Sequence, residues 1–163
     1  MQPNSLLTRR SALMLATGVA AGVAAMAVLG TGAAEGQTIV VHKHPQCGCC
    51  VGWVRHMQQA GFTVKTGETT NFDAVKRRLG VPPELASCHT AQIAGYVLEG
   101  HVPAAALKRF LAEKPNAVGL AVPRMPVGSP GMEGGTPEKF DVILFGPDDQ
   151  RRTYMSFVGD QIV

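Results

Sequence analysis

The sequence lacks a predominant sign of charge. Its 163 residues carry 15 Lys and Arg against 12 Asp and Glu, a formal net charge of +3. Arg9 and Arg10 supply most of that excess. So even a balance makes no electrostatic case for nucleic acid or for an anionic membrane surface. No repeat of fixed period is present and no linker divides residues 37–163, which excludes repeat arrays and tandem domains and leaves one domain. Acidic residues are missing before Glu35, and cysteine is missing everywhere except at Cys47, Cys49, Cys50 and Cys88. The first of these gaps marks a leader and the second concentrates the chemistry. The rest is ordinary: 45% of residues are apolar, enough for a globular domain to bury a core.

The first 34 residues read as an address. Thr8-Arg9-Arg10-Ser11 precedes an apolar, Ala/Gly-rich run from Ala12 to Leu29, and the small residues Thr31-Gly32-Ala33-Ala34 follow. A charged region, an apolar region and a small-residue cleavage region in that order define a signal segment. The paired arginines resemble a twin-arginine export signal. A retained membrane anchor is the alternative reading. The run is about long enough to span a bilayer, but its many Ala and Gly make it weakly apolar. Cleavage leaves no stable membrane span.

Past the leader, Thr38–His42 is a β-branched run that reads as a buried strand and stops at Pro45. From about Cys49 to Ala60 the pattern is helical, with Trp53, Met57 and Ala60 on one face and Gly61 as terminator. Phe62–Lys65 is a second short strand. Asn71 caps a helix whose face is Phe72, Val75 and Leu79, closed by Gly80 and Val81-Pro82-Pro83. Ser87-Cys88-His89-Thr90 leads into a strand-like Ile93–Leu98 with a turn at Glu99-Gly100. Pro103 opens a helix with Leu107, Phe110 and Leu111 on one face, ended by Lys114-Pro115. Leu120–Gly135 is a Met/Pro/Gly loop, and Phe140–Phe145 with Arg152–Val158 forms a final hairpin around Gly146–Asp149. The order β-α-β-α-β-β-α predicts an α/β domain over 37–163 with a thioredoxin-like core, followed by the loop and the hairpin. Trp53 and Phe62 belong to its core.

In an exported protein, four cysteines first suggest structural disulfides. Adjacent Cys49 and Cys50 argue against that, because side chains one residue apart cannot bond without backbone strain. Three sulfurs within four residues can instead converge on one centre. The first turn of a helix lowers thiol pKa values through its backbone N–H groups and positive dipole end. A thiolate-rich, carboxylate-poor setting selects soft ions: Cu(I), Zn(II) or an iron–sulfur cluster. Cys88 lies where a thioredoxin-like chain enters its third strand, which places it opposite Cys47, Cys49 and Cys50. A buried core cysteine is the alternative for Cys88.

Three strings, CGCCVGWVRHMQQAGF, GVPPELASCHTAQIAGYVLEGHVPA and GLAVPRMPVGSPGME, resemble the domain of unknown function 411 family, which includes CopG-like periplasmic proteins of copper resistance. The resemblance runs from Thr38 to Phe157. It implies a thioredoxin-like domain, a periplasmic location, and copper held by Cys47, Cys49, Cys50 and Cys88. It also implies a role in interconverting Cu(I) and Cu(II). His44 departs from the family pattern, standing where a small polar residue is expected.

His44 and His89 lie near the cysteines in sequence, and imidazole suits copper and zinc, so both are secondary ligand candidates. The competing reading makes each a loop histidine or a donor to a ligand. His42 and His56 read as structural or solvated, and His101 as a residue that orients the turn before a helix, with a ligand or a donor to a ligand as its alternative. Met125 and Met132 are soft thioethers in the loop, available for Cu(I) or as fillers beneath it.

The leading function is a copper-binding protein that sequesters or hands on Cu(I), as a multinuclear cluster where thiolates bridge, with periplasmic copper-handling proteins as partners. Redox turnover would make it a copper oxidoreductase. A thiol–disulfide oxidoreductase is the alternative, since Cys47 and Cys50 form a CxxC frame. Against it, Cys49 fills the middle of that frame and no proline directly precedes the third strand. A structural zinc site built from the four cysteines is the third reading, disfavoured because three ligands crowd one turn.

Overall fold

The computed structural model describes residues 37–163, so the leader and its cleavage site lie outside the described residues. The chain forms β1 (Thr38–Lys43), α1 (Gly48–Gln59), β2 (Thr63–Glu68), α2 (Phe72–Arg78), a 3-10 turn (Pro83–Leu85), β3 (Thr90–Ile93), β4 (Tyr96–Gly100), α3 (Ala104–Glu113), β5 (Gly119–Val122), β6 (Lys139–Phe145), β7 (Arg151–Val158) and β8 (Gln161–Ile162). The strands make one mixed sheet in the order β2-β1-β3-β4-β5-β6-β7-β8. β1 runs parallel to β2 and β4 parallel to β5, and the other neighbours are antiparallel. Among the described residues no helix is long and apolar enough to cross a membrane.

Side chains alternate across a strand, so a sheet covered on both sides sorts consecutive residues into two cores. Leu98, Leu120, Val122, Val142 and Leu144 join one cluster with Trp53 and Met57 of α1 and Leu107, Phe110 and Leu111 of α3. Their neighbours Val97, Ala121, Ile143 and Phe145 face the opposite side, against Leu79, Val81 and Leu85. The periodicities read in α1 and α3 therefore mark the faces that are buried.

Local signals set the helix ends. Gly61 has φ 97°, its N–H bonds Gln58 O, and Phe62 N–H bonds Met57 O, so the last carbonyls of α1 are satisfied by a left-handed glycine cap. Asn71 Oδ1 accepts from Ala74 N at 3.2 Å and starts α2. Gly80, at φ 71°, closes α2 in the same manner as Gly61.

Three expectations need correction. The strand-like run over 93–98 is interrupted: the chain reverses at Ala94 and Gly95, with φ of 50° and 84°, rather than at Glu99-Gly100. A two-residue hairpin turn of this kind needs positive φ at both positions, and Ala-Gly lacks the usual Asn or Asp signal. Gly100 stays inside β4 even though its φ is 70°, because a Cβ there would stand 2.5 Å from both Ser87 Oγ and Val122 O. The loop begins later than expected, since Gly119–Val122 is an internal strand buried throughout. Four residues hidden on both faces show no alternation to read. Pro103 precedes α3 as its cap, with ψ 144°, instead of being its first residue.

Gly119 is fixed by close approach: a Cβ built on it would lie 1.8 Å from Val97 O. Gly119→Ala is expected to lower unfolding stability by about 3 kcal/mol, the upper end of overpacking costs. Gly95→Ala, with open space around it but φ of 84°, is expected to cost about 1–2 kcal/mol from backbone strain alone. Urea melts of the two variants check the order.

Candidate metal centre

β1 delivers the chain to the N-terminal end of α1. Cys47 is the residue that caps the helix, in extended conformation with φ −75°, and Cys49 and Cys50 lie in its first turn. Cys88 arrives from the other side. β3 pairs antiparallel with β1, placing Thr90 beside His42, and Cys88 precedes Thr90 by two residues at the end where β1 runs toward Cys47. The four Sγ atoms all lie within 4.8 Å of one another. Cys47 Sγ is 3.4 Å from Cys49 Sγ, and Cys88 Sγ is 3.9 Å from Cys49 Sγ and 3.8 Å from Cys50 Sγ. The structure thus brings together the three helix cysteines and Cys88, as the fold order predicts.

Cys47 and Cys50 are joined in a disulfide, with their Cα atoms 5.4 Å apart, and Cys49 and Cys88 are free thiols. The adjacency argument holds for Cys49 and Cys50 but does not reach this pair. Three residues of helix bring the first and last cysteine of a CxxC frame within ordinary disulfide range.

A second group shares Cys88: its Sγ lies 2.9 Å from His101 Nε2 and 3.2 Å from His89 Nδ1. His101 Nδ1 is 2.7 Å from the carbonyl of Pro130, which can only accept, so Nδ1 carries the proton and Nε2 turns a lone pair toward Cys88. Both rings are fully buried, with His89 packed against Trp53 at 4.5 Å and against His101 at 5.2 Å between centroids. Trp53 is itself fixed by donating Nε1–H to Val102 O at 2.9 Å. His89 Nε2 has no hydrogen-bond partner.

Burial dominates the protonation states. It pushes the Cys88 thiol up to about 12, with the neighbouring Cys49 adding to the effect. It holds His89 well below the ordinary histidine value, aided by His101 and Lys76. It lowers His101 too, against the opposing Pro130 hydrogen bond and the Glu133 carboxylate. At neutral pH the centre is therefore a thiol beside two neutral imidazoles, donors suited to a metal once the thiol proton is displaced.

Two further structures hold the site. Glu99, fully buried on β4, accepts from Lys76 Nζ at 2.5 Å, Ser87 N at 2.6 Å and Thr90 Oγ1 at 2.7 Å, bracketing Cys88 and His89. The Pro126–Glu138 loop also lies on the first turn of α1. A Cβ on Gly131 would stand 2.5 Å from Cys49 O, and one on Gly52 would stand 2.8 Å from Gly131 Cα. Glu133, whose role the sequence leaves open, accepts from Gly131 N at 2.8 Å and holds this crossing.

Of the secondary candidates, His89 is in the donor group and His44 is in neither group among the described residues. His44 Nδ1 instead accepts from Gln46 N at 3.1 Å. Met132 is half-buried within the loop. Met125 is 47% exposed and lines a cleft of about 580 Å³ with Arg124, Lys139 and Asp141, which none of the four cysteines lines. His56 has a structural task, accepting from Ala104 N at 3.0 Å at the start of α3. His101, read from the sequence chiefly as a residue that orients a turn, instead stands 2.9 Å from Cys88 Sγ. The β3–β4 register sets Thr90 opposite Glu99, and two steps further sets Cys88 opposite His101. A turn placed at Ala94-Gly95 would have exposed this pairing; one placed at Glu99-Gly100 hides it.

The fold and site define a mixed α/β domain carrying a buried cluster of sulfur and imidazole donors. The family model described as a protein of unknown function, DUF411, matches residues 85–132. Two solved structures described as copper resistance protein CopG, forms 1 and 2, are each 42% identical to this chain. The first gives a TM-score of 0.70 and covers 75% of this chain and 98% of its own; the second gives 0.72, with 76% and 99%. Among curated proteins nothing matches. The chain belongs to this DUF411 family of CopG-like proteins.

A thiol with its pKa near 12 has a thiolate fraction that rises tenfold per pH unit throughout the accessible range, whereas an ordinary cysteine levels off above about 9. The iodoacetamide alkylation rate of Cys88, followed by mass spectrometry, is therefore expected to keep climbing between pH 8 and 10. A plateau near pH 9 would contradict the buried-thiol account.

Proposed function

We propose that this chain is an exported copper-binding protein that holds Cu(I) through Cys47, Cys49, Cys50 and Cys88, serving sequestration, transfer or Cu(I)/Cu(II) interconversion in copper resistance. One observation carries the reading: four sulfurs within 4.8 Å of one another, in a chain 42% identical to structures described as a copper resistance protein. Thiolates and imidazoles without a carboxylate among them form a donor set for soft ions. Presenting all four sulfurs requires the Cys47–Cys50 pair to be reduced. His101 Nε2 and His89 supply nitrogen donors at Cys88, so that Cys88 Sγ can bridge two ions of a multinuclear cluster. Zinc is the lesser candidate, because its structural sites draw ligands from separated knuckles rather than one turn.

The remaining parts of the reading fit this role. Residues 1–34 act as a twin-arginine signal peptide, and 37–163 is the domain that works in the periplasm, with other copper-handling proteins as donors or acceptors. The core is thioredoxin-like. Support comes from the strand order β2-β1-β3-β4, with β1 and β2 parallel and β3 reversed, and from cysteines at the β1–α1 junction. The Cys47–Cys50 disulfide is the specific observation that favours the second reading, a thiol–disulfide oxidoreductase.

Titration of the reduced protein with Cu(I) against a strong chelator, under anaerobic conditions, separates these. More than one Cu(I) per chain is expected, with the yield lost in Cys88→Ala. Copper binding also displaces the Cys88 proton, so apparent affinity is expected to rise with pH through neutrality. An absence of competitive Cu(I) binding, together with turnover of a disulfide substrate, would replace the copper reading with the second one.

A further inference from the structure

A cavity of about 460 Å³ lies where the start of α3, the end of β7 and the Pro126–Glu138 loop meet, and none of the four cysteines lines it. Its volume is that of a site for a small molecule. The walls are rigid. Pro103, Pro130 and Pro137 line it with fixed φ. Gly128 packs so closely that a Cβ there would stand 2.8 Å from Pro137 Cβ.

The polar groups of this cavity are nearly all acceptors. Prolines carry no N–H, and the Gly128 N–H is spent on Met132 O. Glu133 and Asp160 add two carboxylates, both exposed, and among the described residues no Lys or Arg lines the cavity. His56 supplies one side-chain donor. Burial holds its ring below the ordinary histidine value and therefore neutral, and Nε2 accepts from Ala104 N, so the proton is on Nδ1. That proton also argues against a metal cage. Among the described residues, His56, Glu133 and Asp160 do not form a group whose ligand atoms converge within 4.8 Å. Apolar walls, two carboxylates and few donors are complementary to a ligand that brings positive charge and N–H groups.

We propose that this cavity binds a small organic cation, a primary ammonium on an apolar body, and that filling it holds the loop on α1. The ammonium pairs with Glu133 and Asp160, and the apolar body lies against the prolines and Ala105. Glu133 gives one oxygen to Gly131 N and keeps the other for the ligand. The cavity is walled by three elements, so a ligand bridges them only while the loop is seated. In that position the loop gives Pro130 O to His101 and rests Gly131 on the Cys49 carbonyl. Binding to the seated form alone stabilises it by mass action. The cation thus acts on a wall of the centre without touching a sulfur.

The test uses the purified protein without metal. Phenethylamine is the probe, with phenethyl alcohol and hydrocinnamate as its neutral and anionic counterparts, and calorimetry reads their affinities. The amine is expected to bind about tenfold tighter than the alcohol, as a charge-assisted contact should give, and the acid not at all. Glu133→Gln keeps an acceptor for Gly131 N while removing the charge. Combined with Asp160→Asn, it is expected to bring the amine down to the level of the alcohol. Ala105→Trp, at an exposed position of α3, is expected to fill the cavity and abolish binding. With the amine at about ten times its Kd, hydrogen exchange at the Gly128, Ser129 and Met132 amides is expected to slow about tenfold. The proposal is overturned if the amine does not bind, if the alcohol binds as well, or if Ala105→Trp leaves the affinity unchanged. Unchanged exchange in the saturated protein overturns it too. No copper enters the experiment, so its failure and the failure of the copper reading are separate results.

Discussion

The candidate centre depends on a carboxylate that never touches it. Glu99 has no exposed surface, yet its two oxygens reach helix α2 through Lys76, the Ser87 backbone N–H and the Thr90 hydroxyl. Burial pushes its carboxyl up, and the Lys76 ammonium with the other donors pulls against that rise. The arrangement clamps the chain on both sides of Cys88 and His89. Removing one partner of such a pair strands a buried charge, which typically costs about 3–5 kcal/mol. Without the clamp, the residues before β3 would be an ordinary loop between a 3-10 turn and a strand. Cys88 would then have no reason to stay within 4 Å of two helix cysteines.

The opposite wall is held by contact rather than charge. Gly52 and Gly131 let the Pro126–Glu138 loop rest on the first turn of α1, where a side chain on either glycine would collide with backbone. The crossing also brings the carbonyl of Pro130 to His101 Nδ1 and so fixes which nitrogen faces Cys88. The loop acts on the centre as a tautomer-setting strap. Met125, exposed just before the loop, lines a separate cleft.

What the sequence makes legible follows from how local each signal is. The helix faces around Trp53 and Leu107, the Asn71 cap and the closing glycines Gly61 and Gly80 are written within a few residues, and all occur as read. The cysteine grouping is local for Cys47, Cys49 and Cys50 and becomes visible for Cys88 only through the element order. The rest depends on contacts between strands. Ala94-Gly95 does not advertise its turn, so the cross-strand partnership of Cys88 and His101 has no signature along the chain. β5 is silent for a related reason: a strand buried on both faces has no alternation to separate it from an apolar loop. Lys76 and Glu99 are 23 residues apart in sequence. Nothing about either one marks it as buried until the sheet is assembled.

Charge completes the account of why these donors suit a monovalent soft ion, on the copper reading. In the metal-free chain Cys88 holds its proton and His89 and His101 are neutral, so burial of these groups carries no ionic desolvation penalty. Exchanging the Cys88 proton for Cu(I) leaves the local charge unchanged, whereas a divalent ion would need a second proton displaced or would sit as an uncompensated cation. The nearest carboxylates offer little compensation. Glu99 is committed to Lys76, Ser87 and Thr90, and Glu133 to the Gly131 backbone. Cys49, a free thiol 3.9 Å from Cys88, is the nearest group from which that second proton could come. On the copper reading, the burial that keeps Cys88 protonated thus suits an ion whose charge a single thiolate offsets.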